Sequence, residues 1–167
     1  MVQYVTSLRF GEFSYVEEDV IFFPRGIPAF EQYNNWILVG EEDNAIKWLQ
    51  SIEDGELAVP VTTPDAVMPD YNAKIPEDEL DVVGSKNFAD LALLIVVSIP
   101  EAAPWELTAN LRAPILFNLK SRRAVQVIAL NEEYPIRHVV FPEDVRQSMK
   151  AAHLADLAAS ASAAEGS

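Results

Sequence analysis

The stretch Leu91-Ala92-Leu93-Leu94-Ile95-Val96-Val97-Ser98 decides the reading of this chain. Seven consecutive apolar residues are too few for a membrane span, which needs about 18–20. They are also too uniformly apolar for a strand with one wet face, where apolar and polar residues alternate. A run this short and this rich in Val, Ile and Leu reads as a strand covered on both faces.

Outward from it, short runs of Val, Ile, Phe, Tyr and Leu recur between Pro, Gly and Asn/Asp clusters. Strands are expected near Gln3–Leu8, Glu12–Tyr15, Val20–Phe23, Trp36–Val39, Lys47–Ser51, Leu57–Val61, Leu91–Ser98, Leu107–Asn110, Ile115–Leu119, Val125–Leu130 and Ile136–Val139. Ile115–Leu130 reads as a hairpin with Lys120-Ser121-Arg122-Arg123 at its turn. That turn lacks the glycine of a tight two-residue connection, so a longer loop is expected. Two helices interrupt the β pattern. One opens at Pro76-Glu77-Asp78-Glu79-Leu80 and ends by Gly84; the other opens at Pro142-Glu143-Asp144. The expected fold is therefore mainly β, an antiparallel barrel-like or roll fold with a short internal helix and a C-terminal helix. Residues 1–141 form the β domain, 142–159 a helical extension and 160–167 a flexible tail.

The chain has 167 residues, 26 acidic and 12 basic, for a net charge of −14, with no cysteine and two histidines. Half of it is hydrophobic, enough for a core. Zero cysteine excludes disulfides, thiol nucleophiles and Cys-based zinc sites. The first hundred residues hold 18 acids and 5 bases, a net of −13; the remainder holds 8 and 7, a net of −1. Such a surface repels nucleic acid and anionic lipid and favours encounter with basic proteins. The amino terminus lacks the basic and apolar regions of a secretory signal.

No phosphate loop, dinucleotide fingerprint, zinc-protease or nucleophile-elbow motif occurs. His138 falls in an expected strand and His153 in the C-terminal helix, neither with a motif partner. Glu17-Glu18-Asp19, Glu41-Glu42-Asp43 and Glu77-Asp78-Glu79 do not have calcium-loop spacing and read as solvated charge. No catalytic residue, metal site or cofactor is expected. Phe22, Phe23, Trp36, Trp48 and Trp105 read as core sooner than as a ligand platform. In Trp48-Leu49-Gln50-Ser51, Trp48 and Gln50 share one strand face, an aromatic beside an amide, which suits either an interface or a barrel rim. Asn110 and Pro114 flank a strand entry and suit a bend, with partner binding through Asn110 left open.

Several blocks together resemble the flagellar assembly factor FliW family. Phe23-Pro24-Arg25-Gly26-Ile27 is similar to its amino-terminal signature, and Ala29 stands where the family has glycine before Phe30-Glu31. Trp48-Leu49-Gln50-Ser51-Ile52, Leu57-Ala58-Val59-Pro60-Val61 with Pro64, Tyr71 and the segment Ile75–Leu80 follow in order. Asn110-Leu111-Arg112-Ala113-Pro114-Ile115, then Gln126-Val127-Ile128 and Tyr134, complete the set. The resemblance spans about Phe10–Val140. Two departures stand out: the basic 120–123 turn, where the family often has glycine nearby, and the extension after Pro142.

The resemblance implies a β-rich barrel-like fold and a non-enzymatic cytoplasmic protein with two alternative partners. One is the carbon storage regulator CsrA, a basic RNA-binding dimer that represses flagellin translation; the other is flagellin. Antagonism of CsrA is expected when flagellin is exported. The surface residues that combine with this expectation are Trp48, Gln50, Asn110, Glu41, Glu42 and Asp43. The competing expectations are a small β-barrel enzyme or ligand binder of unrecognised chemistry, and an acidic flagellin chaperone without a CsrA role.

Overall fold

The structure is a computed structural model that describes the backbone of residues 2–85 and 87–165, and side chains through residue 160. Eleven strands and three helices appear in chain order: β1 Gln3–Ser7, β2 Gly11–Tyr15, β3 Ile21–Phe22, β4 Asn35–Val39, β5 Lys47–Ser51, β6 Ala58–Thr62, α1 Pro64–Val67, α2 Glu77–Val83, β7 Leu91–Ser98, β8 Thr108–Ala109, β9 Ile115–Asn118, β10 Ala124–Gln126, β11 His138–Val139 and α3 Glu143–Glu165. Every expected strand is present. α1, opened by Pro64 after Thr63, is an element the sequence reading passes over.

The main sheet runs β10-β9-β7-β6-β5-β4-β3, all antiparallel, with β8 added beside β7 and β11 beside β8. Its two ends approach through a parallel bridge between Phe22 and Arg123. The sheet thus curls into a roll without becoming a closed barrel.

Inside the roll lie Ile21, Phe23, Ile27, Trp36, Leu49, Val61, Ile115, Phe117 and Ala124. The outer face is covered in three places. α2 lays Leu80 and Val83 against Leu116, Val125 and Val127. The α1 segment contributes Val67, Met68 and Tyr71 to a cluster with Ile95, Val97 and Leu111. The β1–β2 hairpin covers β5, where the Ser7 hydroxyl donates to Gln50 at 2.7 Å. Strand β7 accordingly has apolar partners on both sides: Leu91 and Leu93 pack toward α2, Leu94 and Val96 toward the roll interior. This is why its run needs no polar alternation.

Three local devices position these covers. Gly84 takes a left-handed conformation, φ +79°, and its N–H closes on Leu80 at 3.1 Å, ending α2 as glycine does at helix C-termini. The Val83 carbonyl left over there accepts from Asn118 Nδ2 at 2.8 Å and from the Ser121 hydroxyl at 3.0 Å, which ties α2 to the β9–β10 loop. That loop is longer than a tight turn, as the missing glycine implied, and Arg122 itself adopts φ +62° within it. β10 ends at Gln126 rather than running to Leu130, because the facing chain at Pro114 has no N–H for the ladder. Val127 and Ala129 still donate to the carbonyls of Pro114 and Arg112.

α3 docks by its first half. Arg146 pairs with Glu106 at 3.1 Å, and His153 lies against Trp105 with ring centroids 5.3 Å apart. The helix runs on to Glu165, past the 159 boundary expected from sequence, and Gly166 and Ser167 of the expected tail lie outside the described residues. Among the described residues no helix is long and apolar enough to cross a membrane.

Candidate functional site

Strand β5 pairs with β4 so that Val39 faces Trp48 and Ile37 faces Gln50. The sequence alternation is therefore correct: Trp48 and Gln50 share the outer face. The hairpin then separates their fates. Phe10, in the β1–β2 loop, sets its ring edge-on to Trp48 with centroids 6.4 Å apart. The Arg9 guanidinium lies 3.8 Å from the Trp48 ring centroid, a cation–π contact. Trp48 stays half-buried, so part of the indole remains available at the surface.

Gln50 is different: it is wholly buried. Its Oε1 accepts from Ser7, and its Nε2 donates to the carbonyls of Ser51 at 3.0 Å, Leu57 at 3.0 Å and Gly55 at 3.3 Å. Gln50, expected from sequence as a partner-binding residue, is enclosed within this chain. Its amide is consumed in stitching the hairpin and the β5–β6 turn to the sheet, and it presents no surface. Gly55 allows that closeness, since a Cβ there would meet the Thr6 carbonyl oxygen at 2.1 Å.

The acidic triplet Glu41-Glu42-Asp43 occupies the β4–β5 connection and is exposed. The loop is held by the Lys47 ammonium on the Glu41 carbonyl, by the Asn44 N–H on the same carbonyl at 3.1 Å, and by the Asn44 side chain accepting from Ile46 at 3.0 Å. A shallow cleft of about 350 Å³ is shared by Trp48, Phe10, Val39, Ile46 and Glu41. Trp48 and Glu41 thus share one surface, a partly exposed indole with one guanidinium stacked on it, while Glu42 lines a different cleft with Leu38, Lys47 and Thr62.

Asn110 is not brought to that surface. Its Oδ1 accepts from the backbone N–H groups of Arg112 at 3.2 Å and Ala113 at 3.0 Å, an Asx turn that sets up the bend into Pro114 and β9. It borders a separate cleft of about 500 Å³ with Val96, Ser98, Thr108, Ile136 and Arg137. The two clefts have no lining residue in common.

Sequence reasoning missed Arg9 and Phe10. They lie about forty positions before Trp48, and only the hairpin's fold onto β5 joins them. The one signal was a basic residue in a strongly acidic half of the chain. Elsewhere, Tyr71 donates to the Leu111 carbonyl at 2.7 Å and stacks on Tyr134 with centroids 5.0 Å apart. Burial, followed by the neighbouring Tyr134, pushes its phenol up from 10.0 to about 12. Among the described residues, no group of three His, Asp or Glu side chains is placed to hold a metal ion.

Three comparisons match this architecture. The family model described as FliW protein matches residues 4–140. A flagellar assembly factor FliW from Caldanaerobacter subterraneus is 41% identical over 141 residues, covering 83% of this chain and 93% of the relative. One from Thermotoga maritima is 36% identical over 140 residues, covering 83% and 94%. A crystal structure of the flagellar assembly factor FliW superposes with TM-score 0.77 at 29% identity, covering 84% of this chain and 99% of the other. The family match stops at Val140, so α3 lies beyond it.

Proposed function

This chain belongs to the FliW family, and on that premise we propose that it is a cytoplasmic, non-enzymatic flagellar assembly factor that works by binding two proteins in turn. One partner is the basic translational regulator CsrA, whose repression of flagellin messenger RNA it antagonises. The other is flagellin, which occupies it when export stalls. It contacts no RNA directly. On this reading residues 1–141 are the binding domain, 142–159 an appendage to it and 160–167 a tail.

The observation that carries the reading is a partly exposed Trp48 sharing a cleft with Glu41, on the exposed loop that also bears Glu42 and Asp43, in a half-chain of net charge −13. A tryptophan supplies a large apolar anchor, and flanking charge steers a basic partner onto it. Arg9 and Phe10 join this contact set; Gln50 supports it from beneath. Asn110 serves a second contact on the other cleft.

The test is titration of this protein into a preformed CsrA–RNA complex, with RNA release as the readout. Release is expected, and added flagellin should suppress it. Flagellin binding without RNA release would leave an acidic flagellin chaperone; binding to neither protein would reject the proposal and reopen a small-ligand or enzymatic role.

A further inference from the structure

β4 is paired along its whole length on one side and only partly on the other. β3 reaches Asn35 and Trp36 and stops, since the chain before it turns through a 3-10 segment at Glu17–Asp19. In an antiparallel sheet successive residues direct their backbone groups alternately to the two neighbours. Ser51 donates to Leu57 on the β6 side, so Gln50 and Ile37 bond each other, and Leu38 points its N–H and C=O away from β5. Among the described residues neither group has a partner. Strand β2, bonded to β1 on one side, likewise has no strand on its outer edge.

Between these two edges runs a groove of about 330 Å³, bordered by Ser14 and Tyr15 of β2, Leu38 and Gly40 at the end of β4, and Asp19 and Arg122. Arg122 is held there in a left-handed backbone conformation, φ +62°. One of its terminal nitrogens donates to the Asp19 carbonyl at 3.0 Å, and the guanidinium lies 4.8 Å from the Phe117 ring centroid. Its Nε is buried and has no acceptor. An exposed edge is normally blocked by a charge, a proline or a bulge. Leu38, the residue whose backbone faces out, is flanked by Ile37 and Val39 and carries no such block.

We propose that this groove takes an extended segment of a partner polypeptide, which adds as a strand to the open edge of β4, with uncharged side chains in the groove and Lys or Arg at its ends. An added backbone strand satisfies the Leu38 N–H and C=O together, as a ladder neighbour does. The span Ile37–Gly40 is about 13 Å at ~3.3 Å per residue, room for roughly four residues. Main-chain bonds supply affinity in this mode, and the ends supply selectivity. The ends meet carboxylates: Glu12 and the Glu17-Glu18-Asp19 turn are exposed near one edge, and Glu41 follows Gly40 directly at the other. That distribution selects a cationic flank. The inference is independent of the CsrA and flagellin assignment, because it specifies the backbone form of a ligand and not its owner.

The probe is a seven-residue peptide of alternating valine and threonine with a lysine at each end, added to the full chain. The readout is amide hydrogen exchange resolved at Leu38. At up to about 1 mM peptide, exchange at Leu38 is expected to slow roughly tenfold, with the slowing confined to that edge. The same peptide with prolines in place of its threonines cannot pair and should give no protection. A glutamate-ended version should bind about tenfold more weakly, and Leu38→Pro should abolish binding with the far-ultraviolet spectrum retained. Unchanged exchange at Leu38, protection by the proline peptide, or protection at a different edge would overturn the strand-addition proposal whatever Leu38→Pro does to folding. Equal binding of the lysine- and glutamate-ended peptides would overturn the charge assignment.

Discussion

At the residue scale, two positions show how far a linear reading reaches. Ala29 occupies φ +79°, a left-handed conformation that disfavours any Cβ. Its methyl is exposed, so removing it sacrifices no packing. Relief of about 1–2 kcal/mol of backbone strain, offset by about 0.5–1 kcal/mol of added chain entropy, leaves a net gain for Ala29→Gly of about 0.5–1 kcal/mol. Urea denaturation should show a higher midpoint with an unchanged slope, and a lower midpoint would contradict the account. Gln50 runs the other way. Alternation assigned its face correctly but could not reveal that a hairpin from forty residues upstream would close over it. Gln50→Ala strips the Ser7 hydroxyl and the Leu57 and Gly55 carbonyls of a buried partner and leaves a void. The expected cost is about 2–4 kcal/mol, read from the denaturation midpoint, with partner affinity of the folded fraction unchanged. A loss of affinity without loss of stability would return Gln50 to the contact surface.

At the element scale, the strands were readable because each carries its own signal: β-branched and aromatic runs bounded by Pro, Gly and Asn. The uniform apolarity of β7 even announced two covered faces, which α2 and the α1 segment provide on one side and the roll interior on the other. What escaped was the short and the long. α1 is a single turn, too brief to show a period, and α3 exceeds its expected end because alanines sustain a helix without any apolar stripe to mark its limit. The connection after α1 carries a testable coupling. Tyr71 is clasped between the Leu111 carbonyl and the Tyr134 ring, and the Tyr134 hydroxyl accepts from the Asn72 N–H at 2.9 Å. The folded phenol titrates near 12 against 10.0 when free, so the fold favours the protonated form. That contribution is fully present below pH 10.0 and is lost as pH rises toward 12. Because the side chain is only half-buried, solvent screening reduces the loss to about 1 kcal/mol. Tyr71→Phe should be less stable at neutral pH by about 1 kcal/mol, the usual worth of one hydrogen bond. Its stability should also fall less steeply than the parent's across that alkaline window. Parallel curves for parent and variant in pH-jump unfolding would refute the coupling.

At the scale of the whole molecule, charge and topology act together. The acidic excess lies in the part of the chain that builds β1 to α2, and the loop joining β4 to β5 exposes three acidic residues, of which Glu41 lines the cleft with Trp48. Composition made the sign and rough location of this field readable from sequence, whereas the surface it decorates depends on the hairpin's placement. If the field steers a basic regulator onto the chain and then opposes phosphate approach, neutralising it should damage function more than folding. The combined variant Glu41→Gln, Glu42→Gln, Asp43→Asn removes three exposed charges whose loop is otherwise held by backbone and Asn44 contacts, so its stability should stay within about 0.5 kcal/mol of the parent. Its association rate with CsrA at low salt should fall by about tenfold, with a much smaller change in dissociation, as expected for long-range attraction. Raising the salt toward 1 M, where the screening length shrinks to about 3 Å, should bring the two rates together. RNA displacement should follow the same convergence. A variant that displaces RNA as well as the parent at every salt concentration would show that the carboxylates play no part, and that antagonism resides in contact at Trp48 and its neighbours alone.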